Sequence, residues 1–347
     1  MERHRLLLRI VTIVVVSISL LGTGYAALLN SKFGNIARFE TSQIKNRPDP
    51  DKGRSLTVLV LGADRGKKIP GRRPTRLSED VRAARWPKGR YRSDTIMMVH
   101  IAANRRHVYL VSIPRDTYTT LYDNTGSAHG KSKINAAFAA YGPNATIATV
   151  EHLTDVRMKH LVIINFNGFK DITRAVGGVP VYIPKSFYDP SQHVRWEAGK
   201  QNLKGKRALQ YVRTRYGLPR SDFDRIARQQ NFLRALMHKL LAKGTTRNPV
   251  RLTKTLSALT KNIVVDDDWD PADMRALALS LRKTETNDVT FMTAPVAGTE
   301  TIPDAGSIVR LDATQTKKLF RAMARDRMGA YVKAHPHDVL KSSREIS

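Results

Sequence analysis

The chain has 347 residues, no cysteine, and a formal net charge of +29 from 59 Lys and Arg against 30 Asp and Glu. That length allows one large domain or two small ones, and the absence of cysteine excludes disulfides and thiolate chemistry. Charge of this sign calls for acidic partners (nucleic acid, anionic lipid, or an anionic polymer or phosphate ester), yet aromatic content is only 7% and no zinc-finger, P-loop or RNA-binding motif accompanies it.

Residues 1–9 carry Arg3, Arg5 and Arg9, and Ile10 to Leu29 then runs without a charge. As a helix this run spans roughly 30 Å, about one bilayer core, so 10–29 is expected to be a transmembrane anchor. The flanking arginines place the N-terminus in the cytoplasm and the remainder outside. The competing reading is a signal peptide cleaved near Gly24-Tyr25-Ala26. Residues 30–54 are polar, interrupted by Pro48 and Pro50, and read as a tether.

A single extracytoplasmic domain is expected over 55–327. Leu56 to Leu61 reads as a strand buried on both faces and ends in Gly62-Ala63-Asp64. A long basic loop, 65–92, precedes Arg92-Ser93-Asp94-Thr95 and a strand through Ile101. The next strand, Val108 to Ile113, ends in Pro114-Arg115-Asp116, and Asn124 to Ser132 reads as a loop. Helices follow at 134–141 and from Pro143 to about Leu153, then a strand at 161–166, a helix through Val176, a Gly177-Gly178 cap and a strand at 179–183. Further helices are expected from about Lys204, near 222–243, 249–261, 271–283 and 313–325, with a strand at 289–293. Such alternation predicts an α/β sandwich on one core. Residues 328–347 read as a short, basic, loose tail.

The most informative stretch is Leu209 to Gln230. Arg213 and Arg215 are followed by Gly217-Leu218-Pro219, and a helix starts at Ser221 or Asp222. Projected at helical period, Ile226, Leu233, Leu236, Met237 and Leu240 share a core-facing stripe with Asp222, Arg225 and Gln229. Unpaired buried guanidinium is too costly to be left dry. Either these groups satisfy one another, or the stripe opens on a polar pocket at the positive end of the helix, which suits phosphate. A first turn projecting into water is the bland alternative. Three strand ends add matching chemistry: Asp64; Arg92 with Asp94; and Arg115 with Asp116. Arginines are forks for phosphate oxygens, whereas the carboxylates point to Mg2+ or to Asp–Arg pairs that orient the arginines. Lys133 is a further phosphate donor in reach of this reading. His129 and His160 have no ligand spacing and read as loop and strand-start residues.

RSDT at 92–95, SIPRDTY at 112–118, KINAAF at 133–138, GGV at 177–179 and YVRTR…DFDRIARQQ at 211–230 together resemble the LytR–CpsA–Psr family. The resemblance covers about Leu56 to Leu241 and, more weakly, extends to about Arg325. It implies a three-layer α–β–α sandwich with a central mixed sheet, preceded by one N-terminal transmembrane helix, with lipid held in an apolar groove. It implies a Mg2+-dependent, membrane-anchored phosphotransferase taking an anionic glycopolymer, such as teichoic acid, from a polyprenyl diphosphate carrier to peptidoglycan. By similarity Asp64 and Asp94 are the metal carboxylates; Arg92, Arg115, Arg213, Arg215 and Arg225 hold the diphosphate; and Asp222 and Gln229 support them. Asp116 and Asp222 are the candidate bases. The 65–92 loop is longer and more basic than is usual in the family, and Asp224 stands where a small residue is common. No counterpart of the extra C-terminal domain of some members is expected. The alternatives are polyprenyl diphosphate hydrolysis at the same site and DNA-binding regulation, the latter excluded if the domain lies outside the cytoplasm; no nucleic acid partner is expected.

Overall fold

The computed structural model describes residues 31–51, 53–65, 77–83, 86–214, 222–241, 249–281, 283–343 and 345–346. The expected transmembrane segment 10–29 and Arg215 lie outside these residues, and for Asp64 and Asp222 only the backbone is described. Among the described residues no helix is long and apolar enough to cross a membrane.

Along the chain, strands β1 (Ala37–Phe39), β2 (Leu56–Arg65), β3 (Tyr91–Ile101) and β4 (Val108–Ile113) come first. The hairpin of β5 (Tyr118–Tyr122) and β6 (Ala128–Lys133) follows, then helices Asn135–Tyr141 and Pro143–Thr154 and strand β7 (His160–Asn165). Helix Phe166–Ala175 leads to β8 (Val179–Ile183), β9 (Phe187–Asp189), β10 (Val194–Trp196) and β11 (Gly199–Leu203), with β8 paired to β11 and β9 to β10. Helices Gly205–Arg213, Asp222–Leu241 and Pro249–Thr260 precede β12 (Ile263–Asp266). Helix Pro271–Ser280, β13 (Val289–Thr293), the hairpin of β14 (Val296–Ile302) and β15 (Gly306–Leu311), and helices Ala313–Ala324 and Met328–Ala334 complete the chain.

Seven strands form one mixed sheet in the order β1-β12-β7-β2-β3-β4-β13. β2 runs parallel to β7, and β4 to β13, while β3 is antiparallel to both β2 and β4. The carboxyl ends of β2, β7, β4 and β13 therefore share one edge with the start of β3, the edge at which open α/β sheets bind ligands. Strand β3 shows why both faces need cover. Ile96 and Met98 pack on one side with Phe138, Ile147 and Phe320, whereas Met97 packs on the other beside Leu233 and Met237. Helices accordingly lie on both faces. Beside the second face, Trp196, Tyr211 and Phe232 form a satellite core under β8 to β11.

The 124–132 loop expectation fails in part, because Ala128–Lys133 pairs with β5. Its turn is fixed by Asp123, which accepts from the Thr125 and Ser127 amides and from His129, so the sequence signal of a loop came from the turn alone. The tail beyond Met328 is not loose. Met328 and Tyr331 are buried in the main core, Tyr331 donates to Asp338, and Leu340 N–H donates to the Phe291 carbonyl.

Candidate active site

At the shared sheet edge a cavity of about 520 Å³ opens between the sheet and the helices Phe166–Ala175, Gly205–Arg213 and Asp222–Leu241. Its body is apolar, lined by Val60, Met97, Ile164, Phe169, Phe232 and Leu233. Asp94, Asn165, Arg213, Arg225 and Gln229 add polar groups to the same wall. The floor needs glycine where strands cross it: a Cβ on Gly62 would sit 3.0 Å from Thr95 Cβ.

Asp94 reaches this wall through a β-bulge. β2 and β3 pair Gly62 with Thr95 and Ala63 with Ser93, leaving Asp94 as the extra residue. The irregularity breaks the strict alternation of faces, so the sequence neighbours Asp94 and Thr95 both line the cavity. Ser93, between Arg92 and Asp94, turns inward with no exposed surface, and its hydroxyl donates to the Thr95 carbonyl.

Asp94 accepts from Arg115 Nη1 at 2.5 Å, and Arg115 Nε donates to Asp116 at 3.3 Å. Lys133 Nζ lies 3.4 Å from the other Asp116 oxygen. The RSDT, PRD and KIN motifs thus meet as one alternating chain of acids and bases. The second cluster is built by the Asp222–Leu241 helix. Arg225, buried, and Gln229 line the cavity one turn apart. Gln229 donates to the Val212 carbonyl at 3.1 Å and receives the Thr95 hydroxyl at 3.4 Å, tying β3 to the helix end that carries Arg213. Arg213 itself lies over the Phe166 ring, 4.6 Å from the centroid.

Of the residues singled out by sequence, Asp94, Arg115, Asp116 and Lys133 come together, and Arg213, Arg225 and Gln229 gather at the cavity. Arg92 is exposed beside them on β3, paired in register with Asp64, and does not line the cavity. Asp222 is the first described residue of its helix. His129 and His160 are elsewhere, each paired with an aspartate, Asp123 and Asp266.

Sequence reasoning missed three groups. Gln230, next to Gln229 but on another helix face, donates to Ser112 Oγ at 2.8 Å and to the Met292 carbonyl at 2.7 Å. Arg228 is wholly buried, with its guanidinium carbon 4.9 Å and 5.2 Å from the ring centroids of Phe187 and Tyr211, and Nη1 donates to the Thr214 carbonyl. Burial pushes this guanidinium down from the usual arginine range, against the opposing pull of Tyr211 and Asp224. Asp189 accepts from Ser191 and from Gln192, which also donates to the Gln210 carbonyl, at the cavity wall. Burial works to raise the Asp189 carboxyl, but hydrogen bonds from Ser191, Gln192 and Thr214 outweigh it and hold it below the usual carboxylate range. Only the RQQ triplet hinted at any of these, and helical projection of an apolar stripe passes over it.

A sequence model of the LytR_cpsA_psr family matches residues 26–325. The chain belongs to the LytR–CpsA–Psr family. It is 31% identical over 76% of its length to the cell wall biosynthesis protein LcpA of Corynebacterium glutamicum, and covers 54% of that relative. With the Bacillus subtilis polyisoprenyl-teichoic acid–peptidoglycan teichoic acid transferase TagV, identity is 30% over 67% of this chain and 55% of the relative. This LytR–CpsA–Psr chain therefore spans about half the length of the curated relatives it matches. The crystal structure of B. subtilis TagV has the same fold, with a TM-score of 0.62 at 24% identity over 80% of this chain and 98% of that one. A structure of TagT bound to LI-WTA also shares it, with a TM-score of 0.57 at 24% identity over 84% and 98%.

Proposed function

We propose that this chain is a membrane-anchored, extracytoplasmic phosphotransferase that moves an anionic glycopolymer from a polyprenyl diphosphate carrier to a peptidoglycan hydroxyl. The observation that carries the reading is the cavity itself. It joins an apolar body to a wall bearing Arg213, Arg225 and Gln229 and to the Asp94–Arg115–Asp116 chain. A ligand of matching polarity has a hydrocarbon tail and an anionic head. The names of the family relatives, with polyisoprenyl, teichoic acid and peptidoglycan in them, agree with that chemistry.

In this reading the acceptor hydroxyl attacks the glycan-side phosphorus. A new P–O bond forms, the bond to the bridging oxygen breaks, and polyprenyl monophosphate leaves with that electron pair. Arg225, Arg213 and Arg115 orient the diphosphate and stabilise charge on the phosphoryl oxygens, which is most of what such transfer needs. Asp116 lies between Arg115 and Lys133, a placement that favours orienting those cations over abstracting a proton. The hydroxyl proton is lost as the new bond forms, with Asp222 the remaining candidate acceptor.

The donor set suits a hard cation. Asp94 gives Oδ1 to Arg115, and its Oδ2 has no partner among the described residues. Asp64 stands on the neighbouring strand, one pair along from the bulge. Mg2+ held by Asp94 and Asp64 with the phosphates would neutralise charge on the diphosphate.

The test is the mass of lipid co-purifying with the detergent-extracted protein, together with calorimetric binding of geranylgeranyl diphosphate. A phosphate-bearing isoprenoid and measurable binding are expected. No such lipid and no binding would overturn the reading.

A further inference from the structure

Arg213 is the last residue of the helix Gly205–Arg213, and its exposed side chain stands at the cavity wall. The last carbonyls of a helix have no partner within it, so helix ends fray unless other groups take them. A long side chain on such an end is aimed only if the end itself is held.

Here side chains from two other elements take those carbonyls. Gln192, in the turn between β9 and β10, places Nε2 3.0 Å from the Gln210 carbonyl and 3.2 Å from Thr214 Oγ1. From the Asp222–Leu241 helix, Gln229 donates to the Val212 carbonyl at 3.1 Å, and Arg228 Nη1 donates to the Thr214 carbonyl at 3.3 Å. Thr214 caps the helix and is fully buried, and its amide and hydroxyl both turn back to the Gln210 carbonyl.

Arg228 is the unexpected member of this set. It has no exposed surface and is flanked by the Phe187 and Tyr211 rings. Those rings could pack against methionine, and burying a charge is costly, so packing alone does not call for arginine. What arginine adds is a cation at the negative end of the Gly205–Arg213 helix, with a planar fork that reaches the carbonyl just beyond Arg213. Asp224 and Asp189 offset its charge, and Asp189 also holds Gln192 Nε2 at 2.8 Å. Arg228 does not line the cavity, so it acts on a ligand there through residues that do.

We propose that Arg228 and Gln192 are positioning residues that clamp the helix end at Thr214 and so aim Arg213 at the diphosphate. The inference rests on the transfer reading above.

The test is a pair of double-mutant cycles on the full chain in detergent, read as calorimetric affinity for geranylgeranyl diphosphate, with a melting curve on each preparation. One cycle combines Arg228→Met with Arg213→Gln. The other combines Gln192→Leu, on a half-buried surface turn, with Arg213→Gln, and it stands if Arg228→Met does not fold. Each clamp variant is expected to weaken binding about fivefold or more alone, and by less than about twofold once Arg213 is glutamine. A merely structural role would lower melting temperature without that coupling. Losses that multiply in the double variants, or wild-type affinity in Arg213→Gln or in the clamp variants, would overturn the clamp. Failure of the transfer reading looks different: the wild type itself would then not bind geranylgeranyl diphosphate.

Discussion

Arg115 Nη1 meets Asp94 Oδ1 at 2.5 Å in line with the β3–β4 register, two residues beyond the last pair, Ile96 with Ile113. Strand pairing therefore sets the partnership, and the side chains need only reach across. Each is 17% exposed, so solvent screens the pair. Asp94→Asn is expected to move stability by no more than about 1 kcal/mol. Transfer is expected to fall on the order of a hundredfold, because both the orienting partner of Arg115 and the cation carboxylate are weakened. Melting curves and transfer assays on the same preparation check this, and an unchanged rate would reduce Asp94 to a surface pair.

Arg225 is 2% exposed and lines the cavity, so methionine can keep its apolar stem while removing the charge. Because Arg225→Met can also cost stability through the partners of the guanidinium, melting temperature and geranylgeranyl diphosphate affinity are measured on the same preparation. Geranylgeranyl diphosphate affinity is expected to fall roughly tenfold or more, because a charge-assisted contact is worth about 1.5–3 kcal/mol. Loss of melting temperature with intact affinity would make Arg225 a structural residue.

The amide of Gln230 holds the Asp222–Leu241 helix on the ends of β4 and β13 through Ser112 and Met292. Gln230→Leu fills the space but leaves the Met292 carbonyl without that donor. A cost of about 1–3 kcal/mol is expected in denaturant titration. A loss of phosphate affinity larger than the loss of stability would show that the clamp also sets the position of Arg225.

His100 is buried between Thr57 Oγ1 and Asp326, 2.9 Å from each. Burial holds its imidazole below the usual histidine value, although Asp326 pulls the other way. The unfolded chain thus takes up this proton first. Stability should be full above about pH 6.5 and decline as pH falls from there toward the lower folded value. Melting temperature measured from pH 8 to 5 should show that decline, and His100→Gln should flatten it.

Much of the fold was legible because its elements carry strong period signals. The largely apolar runs of β2 and β4 and the Pro143 helix start mark their own boundaries. The site was partly legible for a different reason: its charged motifs lie at strand and helix ends, where apolar patterning stops. The missed residues, Arg228 and Gln230, lie inside a helix whose buried surface is wider than one apolar stripe. Their roles depend on Phe187, Tyr211 and Met292, which are distant in sequence, and no local pattern encodes such contacts. The tail after Met328 was misread because its few apolar residues dock singly on a core built by other segments.

The bulge at Asp94 has a consequence for how this edge can change over time. On a regular strand, the parity of a residue's position fixes its face, and substitution changes chemistry without changing address. Here one inserted position separates two opposite parities within a single strand. Removing Ser93 or Asp94 would restore the regular ladder with Arg92 still opposite Asp64 and Tyr91 still opposite Arg65, and would leave one residue opposite Ala63 where two now stand. Point mutations can alter what stands at this wall, but a one-residue deletion at the bulge would take away one of its positions. The spacing from Arg92 to Thr95 is therefore under a geometric constraint separate from the identity of the residues within it.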